Sequence, residues 1–84
     1  METDFSNSTE KEIKCFYENI SKKVRYFRES KNITQLDLAL DIGIKSVAFY
    51  SNCENNKYDK HFNLEHLYKI AKSLNIDINE FFKI

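Results

Sequence analysis

The chain has one glycine, no proline and no tryptophan. Hairpins and turn-rich β folds draw on glycine and proline for backbone angles that other residues avoid, so their scarcity argues against such folds and suits helices. No apolar run is long enough to cross a bilayer, and no basic-then-apolar leader opens the polar start METDFSNS; the expected location is the cytoplasm. Cys15 and Cys53 lack CxxC spacing and are expected as free thiols in a reducing compartment, with Cys53 filling core space. Net charge is zero, with thirteen Lys and Arg against thirteen Asp and Glu. That balance would count against a nucleic-acid binder if the charges were evenly spread. They are not. Residues 1–12 carry Glu2, Asp4, Glu10 and Glu12 against Lys11, whereas 13–31 carry Lys14, Lys22, Lys23, Arg25, Arg28 and Lys31 against Glu18 and Glu29. An acidic arm offsets a basic helix, and phosphate contact responds to the local field.

Catalytic signatures are also missing. There is no Ser-His-Asp ordering, no Gly-rich phosphate loop, no paired acidic motif and no HExxH, so no enzyme is expected. His61 and His66 stand five apart with no cysteine in register, which gives no metal site, and no cofactor is expected.

What is present is one domain's worth of chain. Its 84 residues are 42% hydrophobic and 31% charged, with seven Phe and five Tyr. A domain this small has a thin core, and aromatics supply large buried area per residue. Phe16, Tyr17, Phe27, Phe49, Phe81 and Phe82 are therefore expected mainly as core.

Thr9-Glu10-Lys11-Glu12 reads as a capping box. Behind it Ile13, Phe16, Tyr17, Ile20, Val24 and Phe27 recur at helical spacing, which predicts a first helix over about 10–31. The pattern also admits a separate short helix and a start near Asn19 or Ser21. Asn32 is expected to end it in a left-handed conformation. Thr34 caps a second helix, whose apolar body is Leu36, Leu38, Ala39, Leu40 and Ile42, and Gly43 stops it. Ser46 caps a third helix with Val47, Phe49, Tyr50 and Cys53, closed by Asn55-Asn56. Residues 57–62 form a loop. Asn63 caps a fourth helix with Leu64, Leu67, Ile70, Ala71 and Leu74 on one face, ended by Asn75. Asp77 or Asn79 caps a short last helix with Ile78, Phe81 and Phe82.

Thr34 to Lys57 is thus a capped helix, a tight glycine-containing turn and a second capped helix, the helix-turn-helix arrangement. Residues 20–82 resemble the phage-repressor and Cro type of helix-turn-helix domain, also called the xenobiotic-response-element family. The matching pieces are IxxxVRxxR at Ile20–Arg28, NITQLDLA at Asn32–Ala39, IGI at Ile42–Ile44, SNCENNK at Ser51–Lys57, and NLEHLYKIAKSLNIDINEFF at Asn63–Phe82. The resemblance implies an all-α, five-helix lambda-repressor-like DNA-binding domain over residues 20–84. An N-terminal extension over 1–19, frayed and then helical, lengthens its first helix. Three features depart from the pattern. The turn after Gly43 is one residue longer, which leaves the recognition-helix register open by one position. The 57–62 loop is longer too, and Asn32 and Asn56 stand where glycines are usual.

Position by position, the resemblance implies that Gln35 touches phosphate and braces the next helix, and that Ser46 caps the recognition helix and contacts phosphate. Val47, Ala48 and Asn52 would face base edges, with Ser51 nearby. Lys45, Lys57 and Lys60 would approach the backbone, and Arg28 would pair with Glu54. Asn can bond an adenine edge and small apolar groups can meet a thymine methyl, so an A·T-leaning site is the expectation. Ile13, Phe16 and Tyr17 prolong the apolar stripe beyond the family pattern. Left bare they would form a sticky patch, so together with Phe81 and Phe82 they are candidates for a homodimer seam. The functional expectation is a repressor that binds a palindromic operator on double-stranded DNA. The competing expectation is an antitoxin or adaptor whose main partner is a protein.

Overall fold

The computed structural model describes residues 7–83, so the frayed segment expected at 1–8 lies outside the described residues but for Asn7 and Ser8. Thr9 opens the first helix, α1, which runs unbroken over Glu10–Ser30. The Glu12 amide donates to the Thr9 hydroxyl at 3.1 Å, and the Thr9 amide donates back to the Glu12 carboxylate at 2.9 Å. Nothing interrupts the helix at Asn19 or Ser21. Helix α2 spans Gln35–Asp41, α3 Val47–Asn55 and α4 Leu64–Leu74. Their caps are Thr34, Ser46 and Asn63, each accepting from an amide in the first turn at 2.7–3.1 Å. Such a cap stabilises a helix by about 1 kcal/mol. The expected fifth helix is a short 3-10 turn, Ile78–Phe82, capped by Asp77.

Three helices end in the same way. After α1, Asn32 takes φ 57 and the Ile33 amide donates back to Arg28 O at 3.2 Å. After α2, Gly43 takes φ 84 and the Ile44 amide reaches Ala39 O at 2.8 Å. After α4, Asn75 takes φ 57 and the Ile76 amide reaches Ala71 O at 3.0 Å. This is the Schellman stop: a left-handed residue, a back-bonded amide and an apolar residue turned onto the core. Ile33, Ile44 and Ile76 all pack against the core cluster. The sole glycine falls where φ is largest among these left-handed residues.

Helix α3 ends differently. Asn56 is left-handed at φ 53, and Lys57 follows where the other three stops have isoleucine. The chain then makes a 3-10 turn, Lys57–Asp59, in which Tyr58 (φ 55) and Asp59 (φ 59) are also left-handed. For an L-residue with a Cβ this conformation costs roughly 1–2 kcal/mol.

The core joins Ile20 and Val24 of α1, Leu38, Ala39 and Ile42 of α2, Tyr50 and Cys53 of α3, Leu67, Ile70, Ala71 and Leu74 of α4, and Phe81. Phe62 belongs to it as well, packed on Tyr50 with ring centroids 5.3 Å apart. Its place in a polar loop gave no periodic signal. Several residues expected inside are outside. Leu36 and Leu40 are exposed because α2 buries only its 38/39/42 face, and Leu64 is 74% exposed because it opens α4 ahead of the packed turns. Phe16 and Phe82 are exposed too; their rings stack with centroids 6.5 Å apart, and Phe16 also meets Tyr17 edge-on at 5.7 Å. Only Phe81 of the six aromatics expected as core is fully enclosed; Tyr17, Phe27 and Phe49 are half-buried. Tyr17 lies flat on His61, with centroids 3.7 Å apart and planes 13° from parallel, so the α1 extension meets the lengthened loop.

His66 closes the cap of α4, because its Nδ1 accepts from the Asn63 amide at 3.1 Å. Burial, against the rings of Phe49 and Phe62, lowers its pKa from the ordinary 6.5. A lowered folded pKa means that the neutral form is the one the fold favours. The stabilisation is complete above pH 6.5 and is lost as pH falls through the folded value. Thermal unfolding from pH 7.5 down to 5 should therefore show a decline in midpoint for the parent that is shallower for His66→Gln. Parallel declines would refute this role.

Candidate nucleic-acid interface

A single carboxylate orients α3. Glu54, in its last turn, is buried, and acceptors this deep must be paired. Arg28 of α1 supplies a fork, Nε to Oε2 at 2.8 Å and Nη2 to Oε1 at 3.0 Å. The Gln35 amide of α2 donates to Oε1 at 2.8 Å, and the Tyr50 hydroxyl, one turn back on α3, donates to Oε2 at 2.8 Å. Arg25 adds a longer contact, Nε to Oε1 at 3.3 Å. Three helices thus converge on one side chain. Burial by itself pushes the Glu54 pKa up, but the bonds from Arg28, Gln35 and Tyr50 outweigh it and the net shift is downward. The bond to Glu54 raises Arg28 in turn, against its own desolvation. Burial, then the Glu54 charge, holds Tyr50 strongly protonated.

With its 50/53/54 side fixed inward, α3 turns the opposite side out. Lys45, Ser46, Val47 and Ala48 are exposed at its start, and Ser51 and Asn52 are half-exposed one turn on. The Ser46 hydroxyl accepts from the Phe49 amide at 3.1 Å, so Ser46 is the cap and Val47 the first helical residue. A helix fits the major groove, and side chains of its first turns are those that reach base edges. Amides of the first turn carry partial positive charge, which suits a phosphate. Lys57 and Lys60 are exposed at the other end of α3. Gln35 is half-buried and turns its amide to Glu54, so it joins α2 to α3.

Two residues went unassigned in the sequence. Asn55 donates to Ser51 O at 2.9 Å and accepts from the guanidinium of Arg25. Arg25 also donates to Glu54 O at 3.4 Å and so ties α1 to the C-terminal turn of the helix. The basic run Lys22-Lys23-Arg25-Arg28 is correspondingly less of a free basic face than its charges suggest, since both arginines are spent on α3. A carboxylate 29 residues away in the chain leaves no local trace beside Arg25.

Of the residues considered for self-association, Ile13, Phe16 and Phe82 are exposed, Tyr17 is half-buried and Phe81 is in the core. Cys15 is exposed and Cys53 buried, both as free thiols. Among the described residues no three His, Cys, Asp or Glu side chains are grouped to hold a metal ion, and no helix is long and apolar enough to cross a membrane.

A protein-family model described as helix-turn-helix matches residues 24–81. No curated protein and no solved structure matches the chain.

Removing one partner of a buried, hydrogen-bonded ion pair typically costs about 3–5 kcal/mol, because the other charge stays buried and alone. Glu54→Gln should lower the thermal midpoint by roughly 15 °C or more in a domain of this size. The contribution of Glu54 is present above its ordinary pKa of 4.5 and lost as pH falls through the depressed folded value. Acid titration of the unfolding free energy should therefore lose its steepest segment in this variant. An unchanged midpoint would disprove the structural weight given to Glu54.

Proposed function

The chain belongs to the phage-repressor and Cro-type helix-turn-helix family of DNA-binding transcriptional regulators, and from that footing we propose that it is a repressor that occupies a palindromic operator as a homodimer. The carrying observation is the outward side of α3, where Val47 and Ala48 are exposed and Ser51 and Asn52 half-exposed on a helix locked from behind through Glu54. Asn52 reads an adenine edge, Val47 and Ala48 meet thymine methyls, and Lys45, Ser46, Lys57 and Lys60 engage phosphate. The reader set contains no arginine, which favours A·T-leaning half-sites.

One copy reads one half-site, and half-sites on one face of the duplex lie about 34 Å apart, so a palindrome calls for two copies. The seam would be the patch of Ile13, Phe16 and Phe82 at the extended end of α1, where large apolar side chains are 47%, 52% and 40% exposed. A second reading, a module whose main partner is a protein, draws support from zero net charge and from Leu36, Leu40, Leu64 and Tyr68 on the surface.

Selection of random and genomic duplexes on the purified protein should return a recurrent inverted repeat. Asn52→Ala should weaken that duplex by about tenfold or more, as expected for loss of a bidentate base contact. No enrichment even at low salt, where phosphate contacts are strongest, would favour the protein-partner reading. Sedimentation at tens of micromolar should give a dimer that Phe16→Glu converts to a folded monomer. A monomeric parent would refute the seam.

A further inference from the structure

We propose that the cleft between the extended start of α1 and the loop that leaves α3 is a binding site for a nucleotide. The cleft has a volume of about 640 Å³, within the range of roughly 300–1,000 Å³ usual for small-molecule sites. One wall belongs to the first two turns of α1, which precede the matched region, and the other to the 56–61 segment of a loop longer than the family pattern. The site therefore does not depend on the operator-binding reading. Three lysines line it, Lys11 and Lys14 from α1 and Lys60 from the loop, and Glu10 and Asp59 line it too. None of these five side chains forms an ion pair among the described residues, although both signs share the cleft. The walls thus hold cations and carboxylates apart, each free to meet a ligand that carries both an anion and hydroxyl donors.

A nucleotide is such a ligand. Its phosphate accepts from the lysine ammoniums, and its ribose hydroxyls donate to the carboxylates. Its base needs a ring to stack on, and every base has a face that an aromatic side chain can cover. His61 is exposed, lines the cleft and lies flat on Tyr17, so the base takes the ring face that Tyr17 leaves open. The cleft is built before a ligand arrives. The Tyr17–His61 stack, centroids 3.7 Å apart, ties its two walls together. The Asn56 side-chain amide donates to Cys53 O at 3.5 Å and to Lys60 O at 3.4 Å, which fixes the loop. A preformed site spares the ligand the entropy of ordering it.

The test titrates the four ribonucleoside 5′-monophosphates into the isotope-labelled full chain at low salt and follows the backbone amides by NMR, with inorganic phosphate and adenosine as partial ligands. At least one nucleotide should give saturable shifts confined to residues 10–17 and 56–61. Phosphate and adenosine should each bind about tenfold more weakly, because each fills only part of the cleft. Lys14→Glu and His61→Ala, both at exposed positions, should weaken the nucleotide by about fivefold or more while amides outside the cleft keep their parental positions. No saturable shift at millimolar nucleotide would overturn the proposal. So would phosphate that binds as tightly as the nucleotide, which would reduce the cleft to a patch of basic charge, or shifts centred on residues 45–52, which would move the nucleotide to the outer side of α3. Undiminished binding by both variants would put the nucleotide elsewhere on the chain and overturn the proposal as well.

Discussion

Glu54 is the constraint on which the molecule turns. A domain of this size has a thin apolar core, and hydrophobic contact alone does not dictate how a nine-residue helix is rotated about its own axis. A buried carboxylate does. It must find donors, and its donors are built into α1, α2 and α3 itself, so α3 satisfies them in one rotation. An ion pair of this kind is weak evidence for stability, since its desolvation cost is comparable to its attraction. Its value here is orientation: the side of α3 that faces solvent is the side that Glu54 does not occupy.

The helix ends were the most legible part of the fold. Thr9, Thr34, Ser46 and Asn63 cap where the sequence places them, Asp77 is the one of two candidates, Asp77 and Asn79, that caps the last turn, and Asn32, Gly43, Asn56 and Asn75 turn left-handed where the helices stop. These signals act within a few residues and need no tertiary information. Legibility failed where the outcome depends on what lies opposite. Leu36, Leu40 and Leu64 are apolar at helical spacing yet exposed, because periodicity names a stripe and not the width of the neighbour that covers it. Phe62 shows the converse, an aromatic in a polar loop that the Tyr50 ring draws inward. At the interface, the family resemblance pointed to Val47, Ala48, Ser51 and Asn52, and these lie exposed or half-exposed on α3. The second anchor, Arg25 on Glu54 and Asn55, depends on two helices crossing, which no local pattern encodes.

The charge balance also takes on a different meaning in three dimensions. Zero net charge counted against a polyanion as ligand. Yet Glu54 is consumed internally, while Lys45, Lys57 and Lys60 flank the outer side of α3 in the open. What a phosphate meets is the arrangement of exposed charges, and the sum over the chain describes that arrangement poorly.

The near-parallel contact of Tyr17 with His61 joins the end of α1 that lies beyond the matched helix-turn-helix region to the loop that leaves the recognition helix. Whatever orders one of these segments lowers the entropy cost of ordering the other. Such coupling is reciprocal by thermodynamic necessity: an effect of the extension on the loop implies an equal effect of the loop's occupant on the extension. For the seam and the phosphate-facing loop proposed above, this stack is the physical contact through which occupancy of one bears on the other.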